Sequence, residues 1–133
     1  MRLLVAAALV LAASFAGAWA TGASSSDATV LVDIHHSRFR PASFEFPAGT
    51  TVTFVIHNGD PIDHEFILGG AAVQRRHEDG TERAHGAVPG EVSIPAGETR
   101  RTTYTFSRPG RLVIGCHLPG HFAYGMRAEV RTT

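Results

Sequence analysis

Cys116 is the only cysteine in the chain, and it lies in the run Gly-Cys-His-Leu-Pro-Gly-His-Phe-Ala-Tyr-Gly-Met from Gly115 to Met126. His121 follows it by five residues and Met126 follows His121 by five more. Thiolate and thioether sulfur combined with imidazole suit copper cycling between its two oxidation states. A trigonal plane of two histidines and a cysteine with a long axial methionine defines a blue-copper centre. The second histidine must come from elsewhere. His64, in Gly-Asp-Pro-Ile-Asp-His-Glu-Phe, is the candidate. The competing reading of Cys116 is a buried thiol packed as a small hydrophobe, and the spacing to His121 and Met126 argues against it.

The N-terminus gives a second reason for a lone cysteine to need a role. Arg2 precedes an apolar run from Leu3 to Ala13, and Ala16-Gly17-Ala18-Trp19-Ala20 offers small residues where a signal peptidase reads. This is the pattern of a secretory signal over residues 1–20, cleaved after Ala20 or alternatively after Ala18. No cysteine stands at the cleavage site, so no membrane anchor is expected. Export implies a periplasmic or extracellular protein in an oxidising compartment, where a single cysteine has no intramolecular disulfide partner. Residues 21–27 are small and polar and read as a flexible tether.

Removing the signal leaves roughly 110 residues, the size of one domain, expected over 28–133. Twelve Arg, with no Lys, balance twelve Asp and Glu. That balance argues against nucleic acid or an anionic membrane as a partner, since both select a strongly basic face. From Ala28 the hydrophobic period is two. Thr29 to His35 is β-branched and apolar, Phe44 to Phe46 alternates, and Val52, Phe54 and Ile56 share one face against Thr51, Thr53 and Val55. Further strands are expected at 65–68, 91–94, 101–106, 111–115 and 127–132. Turn signals stand at Pro47-Ala48-Gly49, Pro95-Ala96-Gly97 and Arg108-Pro109-Gly110. Seven or eight short strands predict an all-β, antiparallel sandwich. No segment carries a convincing helical stripe, although 73–83 has room for a turn or two.

These features together resemble a small single-domain cupredoxin of the plastocyanin/azurin superfamily. The resemblance rests on Phe39-Arg40-Pro41, on Pro-Ala-Gly-Thr-Thr-Val-Thr-Phe at 47–54, on the loop from Asn58 to His64, and above all on Cys-x₄-His-x₄-Met. The Cys-to-His gap resembles azurins and auracyanins, and the methionine spacing is of the auracyanin type. The resemblance implies a Greek-key β-sandwich with one type 1 copper, Cu(I)/Cu(II), at one end. It also implies His64, Cys116, His121 and Met126 as the ligands. Many cupredoxins place Asn directly after the first histidine ligand, where it braces the cysteine loop; here that residue is Glu65. The His-Glu-Phe form resembles periplasmic copper-resistance cupredoxins.

Two other features need a reading. In multicopper oxidases the blue-copper cysteine is flanked by histidine on both sides. Here Gly115 occupies one flank and the chain has no His-x-His pair, so His117 is expected to be an exposed residue on the opposite strand face. The polar segment of about 69–90 reads as an insertion, most simply a solvated loop. The sharper alternative is an accessory metal site using His77, His85 and nearby carboxylates. His35, His36 and His57 have no partners at ligand spacing and are expected at the surface.

The expected function is single-electron transfer by copper, with copper sequestration or delivery in copper resistance as the alternative. A site filled by protein ligands leaves no open position for substrate, so no enzyme activity is expected. The apolar residues Leu118, Pro119, Phe122, Ala123 and Tyr124 around His121 suggest transient docking of a redox partner there. A monomer is expected.

Overall fold

The computed structural model describes residues 26–80 and 84–133. The signal and nearly all of the tether lie outside the described residues; Asp27, expected in the tether, opens the first strand. Nine strands form: β1 (Asp27–Ile34), β2 (Phe39–Arg40), β3 (Ser43–Phe46), β4 (Thr50–Asn58), β5 (His64–Gly69), β6 (Glu91–Ile94), β7 (Thr99–Phe106), β8 (Gly110–Gly115) and β9 (Arg127–Thr132). One helix, α1 (Ala71–Glu78), follows β5. They build two sheets, ordered β2-β1-β4-β7 and β3-β9-β8-β5-β6.

The sandwich stands as expected, but two details differ. The described residues form nine strands rather than seven or eight, and the sheets are mixed rather than purely antiparallel. β1 runs parallel to β4 and β3 runs parallel to β9. Strand pairing direction follows from which distant segment meets an edge, and hydrophobic alternation is the same for both directions.

The inner faces supply the core. Val52, Phe54 and Ile56 of β4 are fully buried, facing Phe66 and Leu68 of β5 and Ile114 of β8. The Phe54 and Phe66 rings lie 5.1 Å apart, and Phe46 stacks on Phe106 at 4.9 Å. Burying each such ring contributes about 2 kcal/mol by transfer from water. The exposed neighbours Thr99, Arg101, Thr103 and Thr105 of β7 show the polar outer face that period two demands.

β5 departs from that alternation, because all six of its residues are buried. The cause is α1, which lies on the outer face of the second sheet. Val73 packs against Gly69, and the Gln74 amide donates to the carbonyls of Ile67 at 3.1 Å and Val113 at 2.8 Å. The segment expected as a solvated loop is thus in part a packed helix with Gln74 and His77 buried. Hydrophobic periodicity does not announce this helix, since it buries polar side chains and has no apolar stripe. Among the described residues, no helix is long and apolar enough to cross a membrane.

Candidate metal centre

Strand pairing brings the distant residues together. β5 and β8 are antiparallel neighbours with Ile67 opposite Gly115. The start of β5, carrying His64, therefore lies beside the end of β8, where Cys116 follows. The chain then turns through Leu118-Pro119-Gly120, with His121 N–H donating to Leu118 O at 3.0 Å. Gly125 takes φ +93°, a left-handed conformation that suits glycine, and directs the chain into β9. Two backbone bonds close the loop: Met126 N–H to His121 O at 2.9 Å and Cys116 N–H to Met126 O at 3.2 Å.

The side chains converge accordingly. Cys116 Sγ lies 3.3 Å from His121 Nδ1 and 3.9 Å from His64 Nδ1, and the two Nδ1 atoms are 3.2 Å apart. Cys116 and Met126 are completely buried, His64 nearly so, and His121 is half-buried. His64, Cys116 and His121 therefore meet at one end of the sandwich, and Met126 is joined to them by its backbone bond with Cys116 and lies buried in the same core.

Asp60 was not singled out from sequence. Its Oδ2 lies 2.9 Å from His64 Nε2, while Oδ1 and Oδ2 accept the backbone N–H groups of His36 and Ser37 at 2.7 and 2.8 Å. An ionised carboxylate there assigns the His64 proton to Nε2 and leaves the Nδ1 lone pair facing Cys116 and His121. Burial acts to raise the Asp60 carboxyl, but the bonds from Ser37, His64 and His36 outweigh it and hold it below the usual carboxylate range. The only sequence signal was an acid four residues before a histidine.

Glu65 braces the cysteine loop twice. Its backbone N–H donates to Cys116 Sγ at 3.3 Å, and its carboxylate accepts the backbone N–H of His117 at 3.3 Å. The side chain thus performs the loop bracing that resemblance assigns to Asn. Burial pushes the Cys116 thiol up to about 11, aided by the nearby Glu65 charge and opposed by backbone donors from Leu118 and Glu65. His121 is shifted down by burial and then by His64, with Glu65 and Asp60 opposing.

His117 differs from expectation. It is half-buried, not exposed, with Nε2 bonded to Gln74 Oε1 at 2.7 Å and its ring stacked 4.6 Å from Phe122. Its strand face was read correctly, but α1 covers that face. Gly115 makes this packing possible, since a Cβ there would come within 2.7 Å of Gln74 Oε1 and 2.8 Å of the Phe122 ring. His35, His36 and His57 are exposed, as expected. The accessory residues His77 and His85 come together beside Glu91, in a group separate from that of Cys116.

The donor set can be tested against copper. Two imidazole nitrogens and one sulfur face one another, and the proton of His64 is directed away to Asp60. Such a cluster of lone pairs is held together by a cation, and sulfur with imidazole selects copper. The arrangement fits one copper ion of type 1.

The chain matches the family described as Cupredoxin-like domain over residues 3–118. It is 37% identical over 97 residues to the copper-resistant cuproprotein CopI of Rubrivivax gelatinosus, covering 70% of this chain and 58% of that protein. It is 30% identical over 145 residues to CopI of Pseudomonas aeruginosa, covering 85% of this chain and 78% of the relative. Among solved structures, auracyanin B superposes with a TM-score of 0.65 at 23% identity, covering 80% of this chain and 88% of that one. Reduced rusticyanin gives 0.54 at 20% identity, covering 83% and 81%. A multicopper oxidase gives 0.62 at 16% identity, with only 39% of its chain covered. At these identities the structures establish the fold. The chain belongs to the cupredoxin-like family.

Proposed function

We propose that this protein carries single electrons in the periplasm or extracellular space, with His64, Cys116, His121 and Met126 holding its copper. Copper bound there supplies a one-electron couple between Cu(II) and Cu(I). The observation that supports this reading is the convergence of Cys116 Sγ, His64 Nδ1 and His121 Nδ1, with His64 and Cys116 already oriented by protein hydrogen bonds. Asp60 fixes the His64 ring, Glu65 fixes the sulfur, and Met126 is locked by the backbone on both sides. Ligands held in this way move little between oxidation states, which favours electron exchange. Burial of Cys116 and Met126 excludes water and leaves no position for a substrate, so no enzyme activity is proposed. Half-buried His121 is the route outward, beside exposed Pro119, Ala123 and Tyr124. Leu118 and Phe122 are half-buried at the rim of that patch.

An absorption spectrum of the Cu(II)-loaded mature protein tests the assignment. An intense visible thiolate-to-copper band that bleaches reversibly on one-electron reduction is expected; a colourless copper adduct would refute it.

A role in copper resistance is a second reading, favoured by the similarity to the copper-resistant cuproproteins CopI. The chain spans about three fifths of the Rubrivivax gelatinosus relative and 78% of the Pseudomonas aeruginosa one. The same residues would then hold copper for sequestration or delivery. Copper tolerance of cells lacking the gene, complemented by wild type or by Cys116→Ser, tests it.

A further inference from the structure

We propose that His77, His85 and Glu91 form a second metal site, one that takes Cu(II) without a thiolate ligand. The alternation of the second sheet explains where it lies. Residues next to the inward-facing His64 and Cys116 must face outward, and these are Glu65 and His117. Glu91, opposite Ile67, opens β6 on that same outer face. The last turn of α1 brings His77 over it, and His85 is held to β6 by two bonds with Ser93, at 2.8 and 3.1 Å.

One donor atom from each of the three residues lies within 4.8 Å of the others. The side chains of His77, His85 and Glu91 are only 4–5% exposed. His77 Nδ1 lies 2.8 Å from the Val73 carbonyl, which can only accept, so Nδ1 carries a proton. The other nitrogen, Nε2, then faces Glu91 Oε2 at 3.1 Å. A cation is therefore needed between or beside these two atoms, either a proton on Nε2 or a metal ion. A histidine that donates one nitrogen to a backbone carbonyl and presents the other is the usual posture of a metal ligand.

The surroundings are ordered for the same purpose. Arg76 binds Glu91 Oε1 at 2.6 Å and turns Oε2 toward the two rings, while His85 Nε2 lies 3.5 Å from Glu65 Oε1. A cleft of about 460 Å³, lined by Glu65, His77, His85 and His117, gives access from solvent. Two imidazoles and a carboxylate lack the soft sulfur that retains Cu(I). Among divalent ions, Cu(II) binds such donors most tightly. The alternative is an ion-pair network of Arg76, Glu91 and His77 closed by a proton.

The site shares no donor residue with the Cys116 group, and the test uses that separation. Full mature protein is loaded with copper at its thiolate site, given further Cu(II), desalted, and measured for metal content and by electron paramagnetic resonance. Wild type is expected to keep a second equivalent, with a new Cu(II) signal that brings no visible absorption. His77→Ala, His85→Gln and Glu91→Gln are each expected to lose that equivalent while the visible band, which reports an intact fold, persists. Cys116→Ser is expected to lose the band and keep the second signal. Should that variant instead keep no copper, or wild type hold a single equivalent, the cluster is an ion-pair network and the proposal fails. A second equivalent retained unchanged by all three cluster variants places the copper elsewhere and also overturns it. Zn(II) offered in competition should not displace the second Cu(II); displacement would overturn the assignment to copper.

Discussion

Asp60 Oδ2, in the loop after β4, and His64 Nε2, at the start of β5, meet at 2.9 Å across four residues of sequence. This bond orients the ring of the one expected ligand that lies outside the Cys116–Met126 loop. The same carboxylate accepts two backbone N–H groups from the segment after β1, so three parts of the chain are tied at the metal end.

Asp60→Ala should therefore weaken both fold and site. Removing a charged acceptor of several hydrogen bonds costs about 1.5–3 kcal/mol, and loss of a ligand-orienting partner costs about 10–100-fold in metal affinity. Chemical denaturation and copper competition measure the two effects. Because the Asp60 carboxyl is held low in the fold, its contribution is complete above the ordinary carboxylate range and fades as pH falls through the lower folded value. The acid limb of wild-type stability should flatten in the variant.

Cys116→Ser should abolish the visible band while the copper-free sandwich remains folded, because the hydroxyl is a poor copper ligand of similar size. A coloured variant with unchanged absorption would refute the sulfur assignment. Met126→Leu should keep the band and raise the reduction potential, since the axial bond is long and weak. Bleaching of Met126→Leu would argue against the axial role.

Copper uptake should release the Cys116 proton. The buried thiol is pushed up to about 11, so it is protonated at neutral pH. His121 is shifted downward and does not compete there. Affinity should then rise about tenfold per pH unit through the neutral range, one proton exchanged per copper. Copper competition titrations at several pH values measure the slope; a flat profile would contradict it.

Gly115→Ala should destabilise the copper-free protein by about 1–3 kcal/mol, as overpacking does. The added methyl meets Gln74 Oε1 and the Phe122 ring, both anchored against His117. Thermal unfolding reads the loss. A neutral substitution would mean that α1 and the ligand loop are not packed as tightly as these distances require.

Tyr124→Glu should slow electron exchange with a redox partner and leave copper affinity unchanged, since Tyr124 is 80% exposed and not a ligand. If the role is confined to copper resistance, the substitution should be silent in exchange and in copper tolerance alike.

The residues of the loop from Cys116 to Met126 are close in sequence, so their types and spacing alone indicated copper, and His64 could be added through the resemblance to cupredoxins. Period-two alternation likewise predicted β4 and the inner face of the core. Both are local properties, readable without knowing what packs where. Parallel pairing of β1 with β4, the burial of His117 and the bracing by Asp60 and Glu65 depend on segments far apart in the chain. The meeting of His77, His85 and Glu91 does too. α1 decides two of these, the burial of His117 and the placing of His77. Its polar surface has no apolar period, yet Gln74 is satisfied by the carbonyls of β5 and β8 and His77 by Val73 and Glu91. Such burial is stable only when every partner is in place, and that is a property of the tertiary structure alone.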